Sequence, residues 1–578
     1  MRLATRSLDR VFRGRGSAQV KTLVQKIKDL FKDGQQGAWY DPTDLTTLFQ
    51  DSAGTNPCTM PGQGVAMPVG LMLDKRLGLT LGSELVTNGD FSSSTGWTVP
   101  ANWSISGGKA TQSAGISTDF LQRSISMSAG KWYKVSVDID AINTGTGGVF
   151  SVRFIVGGVS TLAAAYTTSG AKSFIYSPTS GVSIIRLAIN VHDASVIIDN
   201  ISVRELPGNH ASQSTSTSRP TLSAKYNLLT YTEFPNGVTD APTRGGLVTA
   251  TTLTGYSGAL AFGHDGATGA YAYKAGAPTS TAVKFSVVVR MDDGNAPSFG
   301  SATASAGTNS FVFVIRGDAI SPTSYSTTSL GGGFYRVSVS VTTAAFFDNN
   351  GVLKYPTNDS RTFKVTAYDL RAANESASLP PYQRVVDALT YDTAGFPLFL
   401  LADGSDDWMQ TNSIDFSASD KMFVAAGVRN FGTTGAVMAE LGTAYTGGGG
   451  FGFFANDGGS GVYGAAVSGV SGQVSASQGT YAAPISNVVA CLMDISLSSS
   501  ALKLRVDGAL IKQSGSTALG GGNFASNRAL YFYRRGGTTL PFNGRFYGCI
   551  IRSGTLPTTT EIGNAEKFLS GKMGGGFV

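Results

Sequence analysis

The chain predicts an all-β protein of several domains, and three observations carry that expectation. Its 578 residues exceed what one ordinary core organises, so two to four domains are expected. Charged residues make up only 14% while 74 glycines stand among many Ser, Thr, Val and Ala, a mixture that suits short strands and tight turns. Apolar and polar residues alternate strictly in KVSVDID (134–140) and IIRLAINV (184–191), the period of strands with one dry face.

The formal net charge of +6 is local. Met1 to Asp33 holds nine Lys or Arg against three Asp, leaving 35 basic and 35 acidic residues in the rest of the chain. A neutral body argues against a nucleic-acid groove, which needs clustered Lys and Arg. Cys58, Cys491 and Cys549 are odd in number and far apart, so they make neither a disulfide framework nor a CxxC metal knuckle and read as buried thiols. No window approaches the roughly 18 to 20 apolar residues of a membrane span. The start, MRLATRSLDRVFRGRG, lacks the apolar core of a secretory signal, although a mitochondrial presequence has a similar look.

In chain order, SAQVKTLVQKIKDLFKDG predicts an amphipathic helix within a segment spanning 1–36. Val20, Leu23, Val24, Ile27, Leu30 and Phe31 share one face, Ser17 is the expected N-cap, and Gly34 the stop. Lys21, Lys26, Lys28 and Lys32 occupy the other face. The apolar stripe needs a cover: the first β-domain, a sister helix in an oligomer, another protein, or a membrane surface. Residues 37–81 are rich in turns, with short apolar patches at Leu45–Phe49 and Val69–Leu73, too few for a core.

Strands recur over 82–206, in WYKVSVDIDA, FSVRFIVGG, SIIRLAINV and SVIIDNISVREL. With the opening NGDF and the Gly96-Trp97 pair, this stretch resembles carbohydrate-binding modules of the galactose-binding, jelly-roll type. Over 226–380, YNLLTYTEF, KFSVVVRMD, GFYRVSVSVT and TFKVTAYDLRAA supply a second sandwich. Its opening NLLTYTEF and the exit SLPPYQRV look like a module met in phage tail and fibre proteins. From 381 to 578, LADGSDDWM, LKLRVDGALI, RALYFYRRG and GRFYGCIIRSG, with a terminal helix expected over Thr560–Leu569, resemble a concanavalin-like, laminin-G-like lectin sandwich.

That last domain lacks its first strands. GAWYDPTDLTTLFQDSAG, VGLMLDK and GNHASQSTSTSRPTL look like the missing beginning, in the form found in phage virion proteins. The predicted architecture is therefore a discontinuous concanavalin-like sandwich with two inserted jelly rolls. The first guest enters between Lys75 and Pro207 and the second between Lys225 and about Pro381, with 207–225 as a return segment of the host. Insertion at a surface loop costs little, because loop-closure entropy grows slowly with length. On this reading Ala211 to Leu222, bland enough to pass for a linker, is ordered and paired with strands distant in sequence.

Catalytic constellations are not evident. The seven glutamates form no ExDxxE strand, and no GxSxG elbow accompanies His192, His210 or His264, so no enzyme activity is expected. The phosphate loop GxxxxGK[ST] is also missing. Asp403, Asp406 and Asp407 form an acidic DGSDD turn that offers either a calcium cradle or an Asx-type turn with solvated charges. The jelly-roll resemblance implies a second calcium position at Asn88, Asp90 and Asp199, although Ser92 stands where many relatives carry Glu. No cofactor is required beyond such a structural Ca²⁺. Trp97, Trp103, Trp132 and Tyr133 are the candidate sugar-stacking aromatics; Trp103 in PANWSISGG is favoured, and Trp408 reads as core.

The resemblances imply a bacteriophage fibre or spike protein, resident in the virion and made in the host cytoplasm without a signal peptide. Its N-terminal helix would dock to tail, portal or capsid proteins, and its sandwiches would bind host polysaccharide or lipopolysaccharide. A homo-oligomer, first of all a trimer, is expected, with no nucleic acid and no membrane span. The alternatives are a structural head-fibre or decoration protein without a sugar site, and a capsule-degrading depolymerase.

Overall fold

The computed structural model describes residues 21–113, 119–276, 282–300, 307–342, 349–375 and 379–578. Its largest unit is a sandwich of two nine-stranded antiparallel sheets, each assembled from three separate stretches of chain. In sheet I, Thr221–Ser223 lies between Met67–Pro68 and Phe399–Asp403, with Thr221 opposite both Pro68 and Leu401. Asn543–Ser553 continues the sheet, followed by Lys421–Asn430, Ile485–Asp494 and the Leu502–Gln513 hairpin, while Gly37–Tyr40 pairs along its second half. In sheet II, Ala211 lies opposite Met72 on one side and Thr411 on the other. The return segment thus joins strands that precede the first insertion to strands that follow the second. The core between the sheets mixes all three stretches, with Ala38, Met72, Ala211, Leu222, Phe453, Phe532 and Cys549 among its buried members.

The first insertion is a jelly roll of two five-stranded sheets, and the second pairs a five-stranded with a six-stranded sheet. Each has its own core, around Phe91, Val135, Phe154 and Ile185 in the first and Phe285, Phe313, Phe363 and Tyr368 in the second.

Buried polar groups fix the junctions. At the first, Asp74 accepts from the backbone N–H of Trp39, Asn209 and Arg76, and the Asp74 N–H donates to His210 Nδ1 at 2.9 Å. At the second, Asn227 Nδ2 donates to the carbonyls of Tyr368 and Gln383, while its Oδ1 accepts from Leu229 and Leu370 N–H. Gln383 mirrors this, accepting from Tyr226 and Asn227 N–H and donating to the carbonyls of Ala224 and Asp392. Every polar atom of both amides is satisfied, so they hold entering and leaving strands in fixed register. Arg545 adds an ion pair to Glu375 at 2.8 Å and lies 4.4 Å from the Tyr226 ring centroid.

The helix α1 (Leu23–Asp29) is shorter than predicted. Thr22, not Ser17, is its N-cap: the Thr22 side chain accepts from Gln25 N–H while the Gln25 side chain accepts from Thr22 N–H, a reciprocal box that starts the helix there. Ser17 and Val20 lie outside the described residues. The docking stripe is also corrected. Ile27, Leu30 and Phe31 are buried against Phe423, Val488, Ile550 and Phe568, covering the outer face of sheet I beside α2 (Thr559–Lys572). Arg552 Nε fastens the end of α1 by donating to Leu30 O at 2.7 Å. Among the described stripe residues, Leu23 and Val24, 37% and 40% exposed, are left on the surface. The stripe is covered by the chain's own sandwich because that sheet presents an equally apolar face; burying three such side chains is worth roughly 1.5–3 kcal/mol each.

Candidate functional site

The four predicted sugar-stacking aromatics are all buried. Trp97 and Trp103 lie in the core of the first jelly roll, with their indole N–H groups donating to Asn88 O and Asp119 O, both at 3.0 Å. Trp103 is 4% exposed. Tyr133 also faces that core and accepts from Ser128 N–H. Trp132 fills the joint between guest and host, packed with Leu71, Leu73, Ile175 and Leu206 and 5.5 Å from the His210 ring. The turn-rich sequence around Trp103 suggested exposure, but as the first residue of the strand Trp103–Ser106 it is buried in the core.

The acids expected to hold calcium are engaged in local hydrogen bonds. Asn88 Oδ1 accepts from Ser92 Oγ and Ser93 N–H, Asp90 accepts from Ser92, and Asp199 accepts from Asn200 N–H. In the DGSDD turn, Asp403 accepts from Ser405 N–H, Asp407 from Asp403 N–H, and Asp406 from Ser218 Oγ of the return segment. Burial, with the charges of Asp403 and Asp406 nearby, pushes the Asp407 carboxyl up to about 6. The described residues hold no group of three or more His, Cys, Asp or Glu side chains placed for a metal. The turn is hydrogen-bonded in the Asx manner and, through Asp406, to the return segment of the host. The three cysteines are buried free thiols, and burial raises Cys58 to about 12.

The joint between the first jelly roll and sheet II opens into a cleft of about 370 Å³. Trp132 and Tyr176 of the guest and Trp408 of the host line it, together with Ser177, Ser212, Gln213, Gln410 and Asn412. Alternation along Met409–Thr411 creates the host side: Met409 enters the core, and Gln410 takes the opposite face. Trp408 is half-buried rather than core. It lies near-parallel to Tyr531 at 6.0 Å, and the positive-φ Gly537 sits against the indole, where a Cβ would come within 2.9 Å of Cε2. Its backbone is pinned by Ser218 O and by Gln213 Nε2, both at 3.1 Å.

Asn412 Nδ2 spans the joint, donating to Gly130 O and Ser177 Oγ at 2.9 and 2.8 Å. The backbone bond from Ile175 N–H to Ala53 O, at 2.7 Å, closes the other end. Two polar groups on the walls have no protein partner among the described residues: the Gln410 amide, and the Trp132 indole N–H, which is buried. A mostly polar cleft with aromatic side chains on its walls suits a ligand that has both CH faces and hydroxyl edges. Sequence reasoning missed this cleft because its walls come from four stretches of chain. Of its aromatics, Trp132 stood among the candidate sugar-stacking residues, while Trp408 read as core.

No protein-family model and no curated protein matches the chain. Among solved structures it is similar to the Ruminococcus gnavus IT-sialidase CBM40 bound to alpha2,3 sialyllactose, at 14% identity over 27% of this chain and 96% of that one, with a TM-score of 0.20. It is also similar to the CBM22-1-CBM22-2 tandem domain of Paenibacillus barcinonensis Xyn10C, at 13% identity, over 51% and 99% of the two chains and with a TM-score of 0.19. A Trypanosoma rangeli sialidase is similar over 82% of this chain and 84% of its own, at 12% identity and a TM-score of 0.21.

Proposed function

We propose that this chain is a bacteriophage virion protein of fibre or spike type that binds host-surface glycans in the cleft between its first jelly roll and its lectin-like sandwich. The observation that carries the glycan reading is the cleft itself: three aromatic side chains, Trp132, Tyr176 and Trp408, around an uncommitted Gln410 amide. Aromatic faces meet the CH side of a pyranose, and an amide can both donate to and accept from its hydroxyls. The virion reading rests on the sequence resemblance of the split sandwich to phage proteins. With Ile27, Leu30 and Phe31 covered by the chain itself, attachment to tail, portal or capsid proteins falls to the basic segment before Lys21, with Leu23 and Val24, and a homo-oligomer remains part of the proposal.

The chain is proposed to bind without cleaving. Its buried glutamates are committed to structure: Glu440 pairs with Arg535 at 3.0 Å, Glu566 with Arg505 at 2.7 Å and Glu375 with Arg545 at 2.8 Å, while Glu233 accepts from Ser257.

A glycan array probed with the full chain tests this. Host-type polysaccharide or lipopolysaccharide fragments should bind, and Trp408→Ala or Gln410→Ala should weaken binding by about ten-fold or more, in Gln410→Ala at unchanged melting temperature. Trp103→Ala should instead cost about 3–5 kcal/mol of stability, as a cavity in the jelly-roll core. A blank array, or binding indifferent to both cleft variants, would leave a structural decoration protein.

A further inference from the structure

The joint cleft adjoins a second cleft on the outer face of sheet II. Gln410, on the wall of the joint cleft, lies directly opposite Tyr531 of Leu530–Phe532. Alternation places both side chains on the face away from the core, which Met409 and Phe532 enter. Tyr531 lines the second cleft, of about 470 Å³, together with Arg528, Asn527, Ser413, Thr443 and Thr446. The near-parallel rings of Trp408 and Tyr531, 6.0 Å apart, are therefore where the two clefts meet. Ala211–Ser212, Met409–Thr411, Leu530–Phe532 and Ala436–Leu441 are consecutive strands of this sheet. At the usual spacing of neighbouring strands, the surface they carry from one cleft to the other is about 14 Å across.

Arg528 is seated at the far end. Its Nη1 donates to Gly447 O at 3.3 Å, and it forms no ion pair with a carboxylate among the described residues. Gly447 is not in the left-handed region, yet a Cβ there would collide with the guanidinium, so the room Arg528 takes up is what calls for the glycine. The Tyr531 phenol and the side chains of Ser413, Thr443, Thr446 and Asn527 also have no hydrogen-bond partner among the described residues. A positioned guanidinium, a phenol, hydroxyls and an amide around one opening supply donors and acceptors for sugar oxygens. A single sugar in the joint cleft would leave all of them unused, whereas a chain crossing the Trp408–Tyr531 pair would engage both ends. We infer that the joint cleft is one end of an extended groove whose occupant is a chain of several sugar units, its far unit held at Arg528, rather than a single terminal sugar. This rests on the glycan reading of the joint cleft.

The test measures the affinity of the full chain for size-graded fragments, disaccharide to octasaccharide, cut from the polysaccharide that binds most strongly on the array. The hexasaccharide should bind about ten-fold or more tightly than the disaccharide. Arg528→Gln should bring the hexasaccharide back to the affinity of the disaccharide, and Asn527→Ala, at an exposed site, should remove part of the gain. Gln410→Ala should weaken both lengths alike. Binding that responds to Gln410→Ala but is equal at every length would overturn the extended groove and leave the joint cleft standing. A gain with length that survives both Arg528→Gln and Asn527→Ala would do the same. A blank array, or binding indifferent to Gln410→Ala, would remove the joint cleft and this inference with it.

Discussion

At the scale of single residues, His210 shows how the host accepts its first guest. Its ring is fully buried beside Trp132, its Nδ1 accepts from Asp74 N–H, and its Nε2 faces Leu206 O at 3.3 Å, so the neutral form protonated at Nε2 satisfies both neighbours. Burial lowers its pKa to about 3, below the ordinary 6.5. A depressed histidine stabilises the fold above its unfolded pKa and loses that contribution as pH falls from about 6.5 toward 3. The full effect is on the order of 4 kcal/mol. Thermal melts across that range should show a steeper acid loss for the wild type than for His210→Gln; parallel slopes would mean the imidazole is not held neutral. The sequence offered His210 only as a scattered, locally bonded imidazole. Its partners lie 136 residues away at Asp74 and four away at Leu206; the first insertion separates Asp74 from His210 in sequence, and the host pairing of Met72 with Ala211 brings them together.

At the scale of elements, strand identity was legible where one face is wet. Along Tyr133–Asn143 the buried residues Tyr133, Val135, Val137 and Ile139 alternate with more exposed ones, as the alternating sequence predicts. The terminal helix, expected over Thr560–Leu569 from the resemblance, spans Thr559–Lys572; a capping box of Thr558 and Glu561 starts it, as one of Thr22 and Gln25 starts α1. The return segment was legible only through the fragments around it, since strands of two and three residues carry no periodicity. Their pairing gives a prediction. A chain beginning at Tyr391 lacks Ala38, Leu48, Met72, Ala211 and Leu222 from the shared core and leaves Met409–Thr411 and Phe399–Asp403 as bare edges. Expressed alone it should be unfolded or aggregated by circular dichroism and should be digested quickly. A protease-resistant fragment from Tyr391 onward would mean the C-terminal sandwich is continuous.

At the scale of the whole molecule, composition and periodicity established the all-β body and the separate basic arm, but not where ligands could meet it. The proposed joint cleft arises from registers that no local pattern encodes: it gathers Trp132, Tyr176 and Trp408 across a joint between guest and host. Of the aromatics singled out from sequence, Trp97, Trp103 and Tyr133 went to the jelly-roll core and Trp132 to the joint. What the split architecture adds is rigidity at the joint: backbone bonds from Ile175 to Ala53 and from Leu206 to Trp132, with the Asn412 bridge, hold the cleft walls in fixed relation. A preformed cleft binds without an ordering cost. The most direct measurement is a crystal structure of the full chain with a glycan selected on the array. The account predicts sugar density between Tyr176 and Trp408 with Gln410 bonded to a hydroxyl; an empty joint cleft, with the glycan held elsewhere on the molecule, would contradict it.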